Sequence, residues 1–139
     1  MYACFAFVFA TIAVVVSGSA IVPKSQCSRF YTVVSGDTCD GISAKTSTPT
    51  FQLQEINADV INGECTNLFV GEVLCLGLTG QDCTDVHVVQ SGDSCVDIAN
   101  DAGTTLSTLL ANNPNVNSAC TDIYVGEVLC TANHIIGYD

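Results

Sequence analysis

Eight cysteines in two matching quartets constrain this chain more than any other feature. Cys27, Cys39, Cys65 and Cys75 stand 12, 26 and 10 residues apart, and Cys83, Cys95, Cys120 and Cys130 stand 12, 25 and 10 apart. Identical words sit at matching places: Ser35-Gly36-Asp37 against Ser91-Gly92-Asp93, and Val70-Gly71-Glu72-Val73-Leu74-Cys75 against Val125-Gly126-Glu127-Val128-Leu129-Cys130. Agreement in both spacing and wording marks a tandem duplication. The first copy carries one extra residue, expected between Ile61 and Glu64. Each copy has about 50 residues, too few to bury a large core. Four cysteines per copy fit that deficit, since one disulfide closing such a loop stabilises by roughly 3 kcal/mol in the chain-entropy view. Pairing is expected within each quartet, and spacing leaves all three connectivities open.

An even number of cysteines in a small chain reads as a disulfide framework made in an oxidising compartment. The ninth, Cys4, lies in an apolar run from Cys4 to Val16 broken only by Thr11 and followed by Ser17-Gly18-Ser19-Ala20. That run reads as a signal peptide over residues 1–20. It falls short of the roughly 20 residues a membrane-crossing helix needs. A secreted, extracellular protein is expected, free or held at a cell wall. A zinc site would need closely spaced cysteine pairs, which the chain lacks, and His87 and His134 have no ligand-like spacing. No metal or other cofactor is expected.

Charge narrows the partners. The net charge is −11, from 14 acidic and three basic residues. Binding to nucleic acid or to an anionic membrane needs a basic surface, so neither is expected, and the ligand should be neutral or cationic.

Local signals give the same element order twice. Tyr31-Thr32-Val33-Val34 and His87-Val88-Val89-Gln90 read as strands. Each runs into a Ser-Gly-Asp turn, where Asp37 or Asp93 is a candidate helix cap. Cys39, Ile42 and Ser43, and Cys95, Ile98 and Ala99, recur at helical spacing. Second helices are expected from Thr48-Pro49 and near Thr105, ending at Asn57-Ala58-Asp59 and Asn113-Pro114-Asn115. Gly71 and Gly126 then lead into Val-Leu-Cys strands. The expected fold is α+β: two small βααβ modules, each with an antiparallel strand pair and both helices on one face.

The words Tyr31-Thr32-Val33 to Gly36-Asp37-Thr38, Leu53 to Asn57 and Gly71-Glu72-Val73-Leu74 resemble a LysM domain. Gly92-Asp93-Ser94, Leu109, Asn113-Pro114 and Gly126-Glu127-Val128-Leu129 repeat the pattern. The resemblance covers residues 27–76 and 83–131, leaving 77–86 as a linker that overlaps the second module's start and 132–139 as a tail. The cysteine placement is similar to that of secreted fungal members. Two departures stand out: Ala58 replaces a usual proline, and His87 stands where an aromatic often opens the first strand.

The resemblance implies binding of N-acetylglucosamine glycans, chitin oligomers above all, with peptidoglycan as an alternative. It further implies an effector that captures chitin fragments or coats hyphae against host recognition; a structural wall protein is the other reading. Long oligomers are expected to drive self-association. The implied groove runs between the strand-to-helix turn and the loop after the second helix. Its candidates are Gly36, Asp37, Thr38, Asn57, Asp59 and Val60 in the first copy, and Gly92, Asp93, Ser94, Asn113, Pro114, Asn115 and Val116 in the second. Gly36 and Gly92 allow close backbone approach. Asp37, Thr38, Asp93 and Ser94 offer polar groups, Asn57, Asn113 and Asn115 suit an acetamide, and Val60 and Val116 its methyl. The chain has no tryptophan for ring stacking. Catalysis is not expected: glycosidases need two carboxylates flanking one bond, and Asp93, Asp97 and Asp101 read as a solvated face near a helix start.

Overall fold

A computed structural model describes residues 26–138, so the expected signal peptide and Cys4 lie outside the described residues. The first module runs β1 (Cys27–Thr32), α1 (Cys39–Thr46), α2 (Thr50–Ile56) and β2 (Val73–Leu78). The second repeats the order with β3 (Val86–Val88), α3 (Cys95–Asp101), α4 (Leu106–Asn112) and β4 (Val128–Cys130). Each module pairs its strands antiparallel, Thr32 opposite Val73 and Val88 opposite Val128. Two βααβ units follow the duplicated sequence.

Six of the seven core positions of each module match across the repeat. Val33, Cys39, Ile42, Leu53, Ile61, Leu74 and Leu76 cluster in the first, and Val89, Cys95, Ile98, Ala99, Leu109, Val116 and Leu129 in the second. The disulfides are nested within each quartet: Cys27–Cys75 around Cys39–Cys65, and Cys83–Cys130 around Cys95–Cys120. The outer bridge ties β1 to β2 in the first module and the segment just before β3 to β4 in the second, and the inner one ties the start of the first helix to the loop after the second.

Three expectations need correction. The strands end earlier than propensity suggests, at Thr32 and Val88; Val33 and Val89 lie in the cores and still exchange backbone hydrogen bonds with the Gly71-Glu72 and Gly126-Glu127 turns, while Val34 and Gln90 lead into the next turn. The helix expected from a Thr48 cap starts at Thr50, with Pro49 at the cap position and no side-chain cap. Thr48 is instead buried and receives an Arg29 guanidinium hydrogen bond at 3.3 Å. The extra residue lies within 58–60 rather than 61–64, since Ile61 fills the core position of Val116 and the loop bonds of Asn62 repeat those of Asn117.

The expected linker is not a free tether. Asp82 receives two bonds from the Arg29 guanidinium, at 2.8 and 2.7 Å, and one from Gln52 Nε2 at 2.9 Å. Gly77 is required beneath it, because an added Cβ would lie 2.1 Å from the Asp82 carboxyl carbon. The buried Gln52 also donates to the Leu76 carbonyl at 2.6 Å and accepts from the Cys83 N–H at 2.9 Å. The helices of the first module pack on β4 of the second. Thr50 Oγ1 accepts from the Val128 N–H at 3.0 Å, and the Tyr124 hydroxyl donates to Asp40 at 3.1 Å. The tail closes the seam. Ile136 is buried, its N–H bonded to Asn112 at 2.7 Å, and Tyr138 meets Phe51 edge-on with centroids 5.4 Å apart.

Candidate functional site

The strand-to-helix turn is organised by an aspartate that looks back along the chain. Asp37 accepts from the Val34 N–H at 2.9 Å and the Tyr31 hydroxyl at 2.8 Å, and pairs with Lys45. The Lys45 ammonium, then the Val34 N–H and Tyr31 hydroxyl, hold its carboxyl down at about 2. Lys45 also lies over the Tyr31 ring at 4.6 Å, a cation–π contact. In the second module Asp93 accepts from the Gln90 N–H at 2.8 Å and meets His87 Nε2 at 2.6 Å. The Gln90 N–H first, and His87 after it, lower its pKa. His87 therefore takes the place of Tyr31. Neither aspartate caps a helix. Thr38 and Ser94 do, their hydroxyls accepting from the Gly41 N–H at 3.1 Å and the Asp97 N–H at 3.2 Å.

Between strand and cap, Gly36 and Gly92 adopt φ of 88° and 89°, a left-handed region that side chains disfavour. An added Cβ at either would meet nothing within 4 Å. The space over both turns is open.

The loop after the second helix divides its residues by role. Asn57 Nδ2 donates to the carbonyls of Leu53 and Cys75, both at 2.7 Å, while its Oδ1 accepts from the Cys75 N–H at 2.8 Å. Asn113 repeats the set on Leu109 and Cys130 at 2.7, 2.9 and 2.8 Å. Both carboxamides are buried and spent inside the protein. Val116 belongs to the core. Asp59, Val60, Pro114 and Asn115 are the loop candidates left at the surface, and Asn115 Nδ2 reaches back to Glu127 at 2.7 Å.

The inner disulfides bring turn and loop together. Cys39 directly follows Thr38, and Cys95 follows Ser94; their bridges to Cys65 and Cys120 span Cα separations of 6.1 Å in both modules. The loop is held in turn by Asn62, which accepts from the Thr66 N–H at 2.9 Å, and by Asn67, which donates to the Val60 carbonyl at 3.0 Å. The same clipped pair of turns occurs twice. Residues missed by sequence reasoning are those that brace the turns: Tyr31, Lys45 and His87. Their signal was the spacing of six between Tyr31 and Asp37, repeated between His87 and Asp93.

Comparison with known proteins agrees with this architecture. The LysM domain family matches residues 31–77 and 87–131. Secreted LysM effector LysM1 of Trichophyton rubrum is 31% identical over 128 residues, covering 76% of this chain and 50% of that protein. Secreted LysM effector LysM2 of Penicillium expansum is 28% identical, covering 76% of this chain and 38% of its own length. The chain thus spans half or less of these relatives. Among solved structures, the Bacillus megaterium QM B1551 spore cortex-lytic enzyme SleL is similar at 18% identity and a TM-score of 0.37, over 73% of this chain and 21% of that one. With two matched segments covering most of the described residues, each folded as a disulfide-clipped βααβ unit, the chain belongs to the LysM domain family.

Proposed function

We propose that this protein is a secreted, non-catalytic chitin-binding protein. Each module would receive an N-acetylglucosamine oligomer between its strand-to-helix turn and the loop after its second helix. One observation carries the reading: in both modules a disulfide clips these two turns together beneath open space at a left-handed glycine. A backbone without side chains at its crest lets a sugar ring come close enough to meet peptide N–H and C=O groups. Gly36, Thr38, Asp59 and Val60, and Gly92, Ser94, Pro114 and Asn115, are the residues positioned to touch it. Asp37, Asp93, Asn57 and Asn113 act by shaping the groove, since their polar atoms are occupied.

The ligand class follows from charge. Chitin is neutral and bears an acetamido group on every sugar, so the −11 protein meets no repulsion from it. The relatives named secreted LysM effectors favour a role in capturing chitin fragments or shielding hyphae over a mechanical wall role. Long oligomers reaching grooves on neighbouring molecules would draw them together.

Retention of the oxidised protein on chitin, chitosan, cellulose and peptidoglycan beads tests the proposal. Chitin should retain it, while cellulose and chitosan, which lack the acetamido group, should not. Replacing Thr38 and Ser94 together by tryptophan should abolish retention with folding intact. A folded double variant that still binds chitin would move the site away from the turns.

A further inference from the structure

The seam between the modules joins unlike faces. The helix side of the first module, α1 and α2, meets the strand side of the second, β4 and the segment before it. One face of each kind is therefore left over: the strand side of the first module and the helix side of the second.

The repeat lets covered and uncovered copies of each position be compared. Thr50 and Leu106 both open the second helix; Thr50 is 3% exposed in the seam and Leu106 is 37% exposed outside it. Val128 is 1% exposed in the seam, and its counterpart Val73 is 43% exposed. Across the seam Tyr124 donates to Asp40. Their uncovered counterparts are Phe69 and Val96, exposed by 69% and 52%. At these four pairs the seam copies are Thr50, Val128, Asp40 and a Tyr124 still 47% exposed, while the outer copies, Leu106, Val73, Val96 and Phe69, are all apolar. That is the reverse of what burial and exposure require if both leftover faces stay in water.

We infer that a second copy of this chain covers them, the strand side of one molecule's first module docking on the helix side of another's second module as β4 docks on α1 and α2 within the chain. Phe69 would meet Val96, and Val73 would meet Leu106, replacing the Tyr124–Asp40 and Val128–Thr50 contacts. Joining unlike faces leaves one free face at each end, so the contact propagates into an open chain of molecules or closes into a ring. It needs no glycan. Because each molecule carries a charge of −11, repulsion opposes the contact and salt should strengthen it by screening.

Sedimentation velocity of the oxidised protein in glycan-free buffer, over a range of concentration and salt, tests the inference. The average mass should climb with both. Val73→Glu blocks the strand side and Leu106→Glu the helix side, so each variant alone should remain a single chain. An equimolar mixture should form a species of twice the chain mass and nothing larger, because one blocked face remains at each end. Phe69→Asp and Val96→Asp serve as a second pair should either first variant fail to show a native melting profile. Unmodified protein that stays a single chain throughout would overturn the inference. So would either single variant still associating, or a mixture that does not pair.

Discussion

A buried carboxamide fastens the last helix of each module to its last strand. Asn113 uses both amide hydrogens and its carbonyl on Leu109 and Cys130. Asn113→Ala strands a buried Cys130 N–H and should lower unfolding free energy by about 1–3 kcal/mol, read by denaturant titration of the oxidised protein. Acids set the pH response with opposite signs. Asp37 and Asp93 have pKa values lowered from 3.8. Their stabilisation is present above that value and is lost as pH falls below it. Glu127, buried in the second module, is raised above 4.5 chiefly by desolvation. It binds protons more readily folded than unfolded, so its ionisation costs stability that returns as pH falls toward 4.5. Thermal unfolding should therefore show a maximum in mild acid, with loss below 3.8. Glu127→Gln should flatten the rise between neutral pH and that maximum; an unchanged rise would assign it to other carboxylates.

At the scale of elements, the nested bridges carry the site. Peptide mapping should recover Cys39 with Cys65 and Cys95 with Cys120, and no bridge between quartets. Replacing Cys39 and Cys65 together by serine should cost roughly 3 kcal/mol and weaken glycan retention by the first module, because turn and loop lose their tie. The order of elements was legible because glycines, β-branched runs and cysteine gaps recurred in step. Helix starts were less so. Thr38 and Ser94 cap where Asp37 and Asp93 were expected to, because the aspartates find backbone N–H groups behind them in the tight turn. The extra residue could not be located from cysteine gaps alone. The packing of Ile61 in the place of Val116 and the matched loop bonds of Asn62 and Asn117 fix it, and with it Val60 stays at the surface while Val116 goes to the core. The roles of Asn57 and Asn113 were half visible: they end helices as expected, yet their bonds to Cys75 and Cys130 depend on strands 17 or 18 residues away.

For the whole molecule, what sequence patterns did not reveal is the seam, since local periodicity says nothing about how two units pack. Gln52 is its centre, joining Leu76, Asp82 and Cys83 from a position fully out of water. Gln52→Leu should leave the Cys83 N–H unsatisfied and lower stability by about 1–3 kcal/mol. Hydrogen exchange should rise along 79–84 while both module cores remain protected. If exchange there is unchanged, Gln52 does not organise the seam. Held this way, the two grooves keep a fixed relation, so binding to a polymer depends on whether one chain of sugars spans both or links neighbours. Each module is proposed to bind its glycan between the two clipped turns. The most direct test is an amide nitrogen–proton NMR titration of the oxidised protein with chitin tetramer. Shifts confined to 35–38 with 58–60, and to 91–94 with 115–116, are the predicted result. Saturable shifts located elsewhere, or none at all in protein that chitin beads retain, would contradict it.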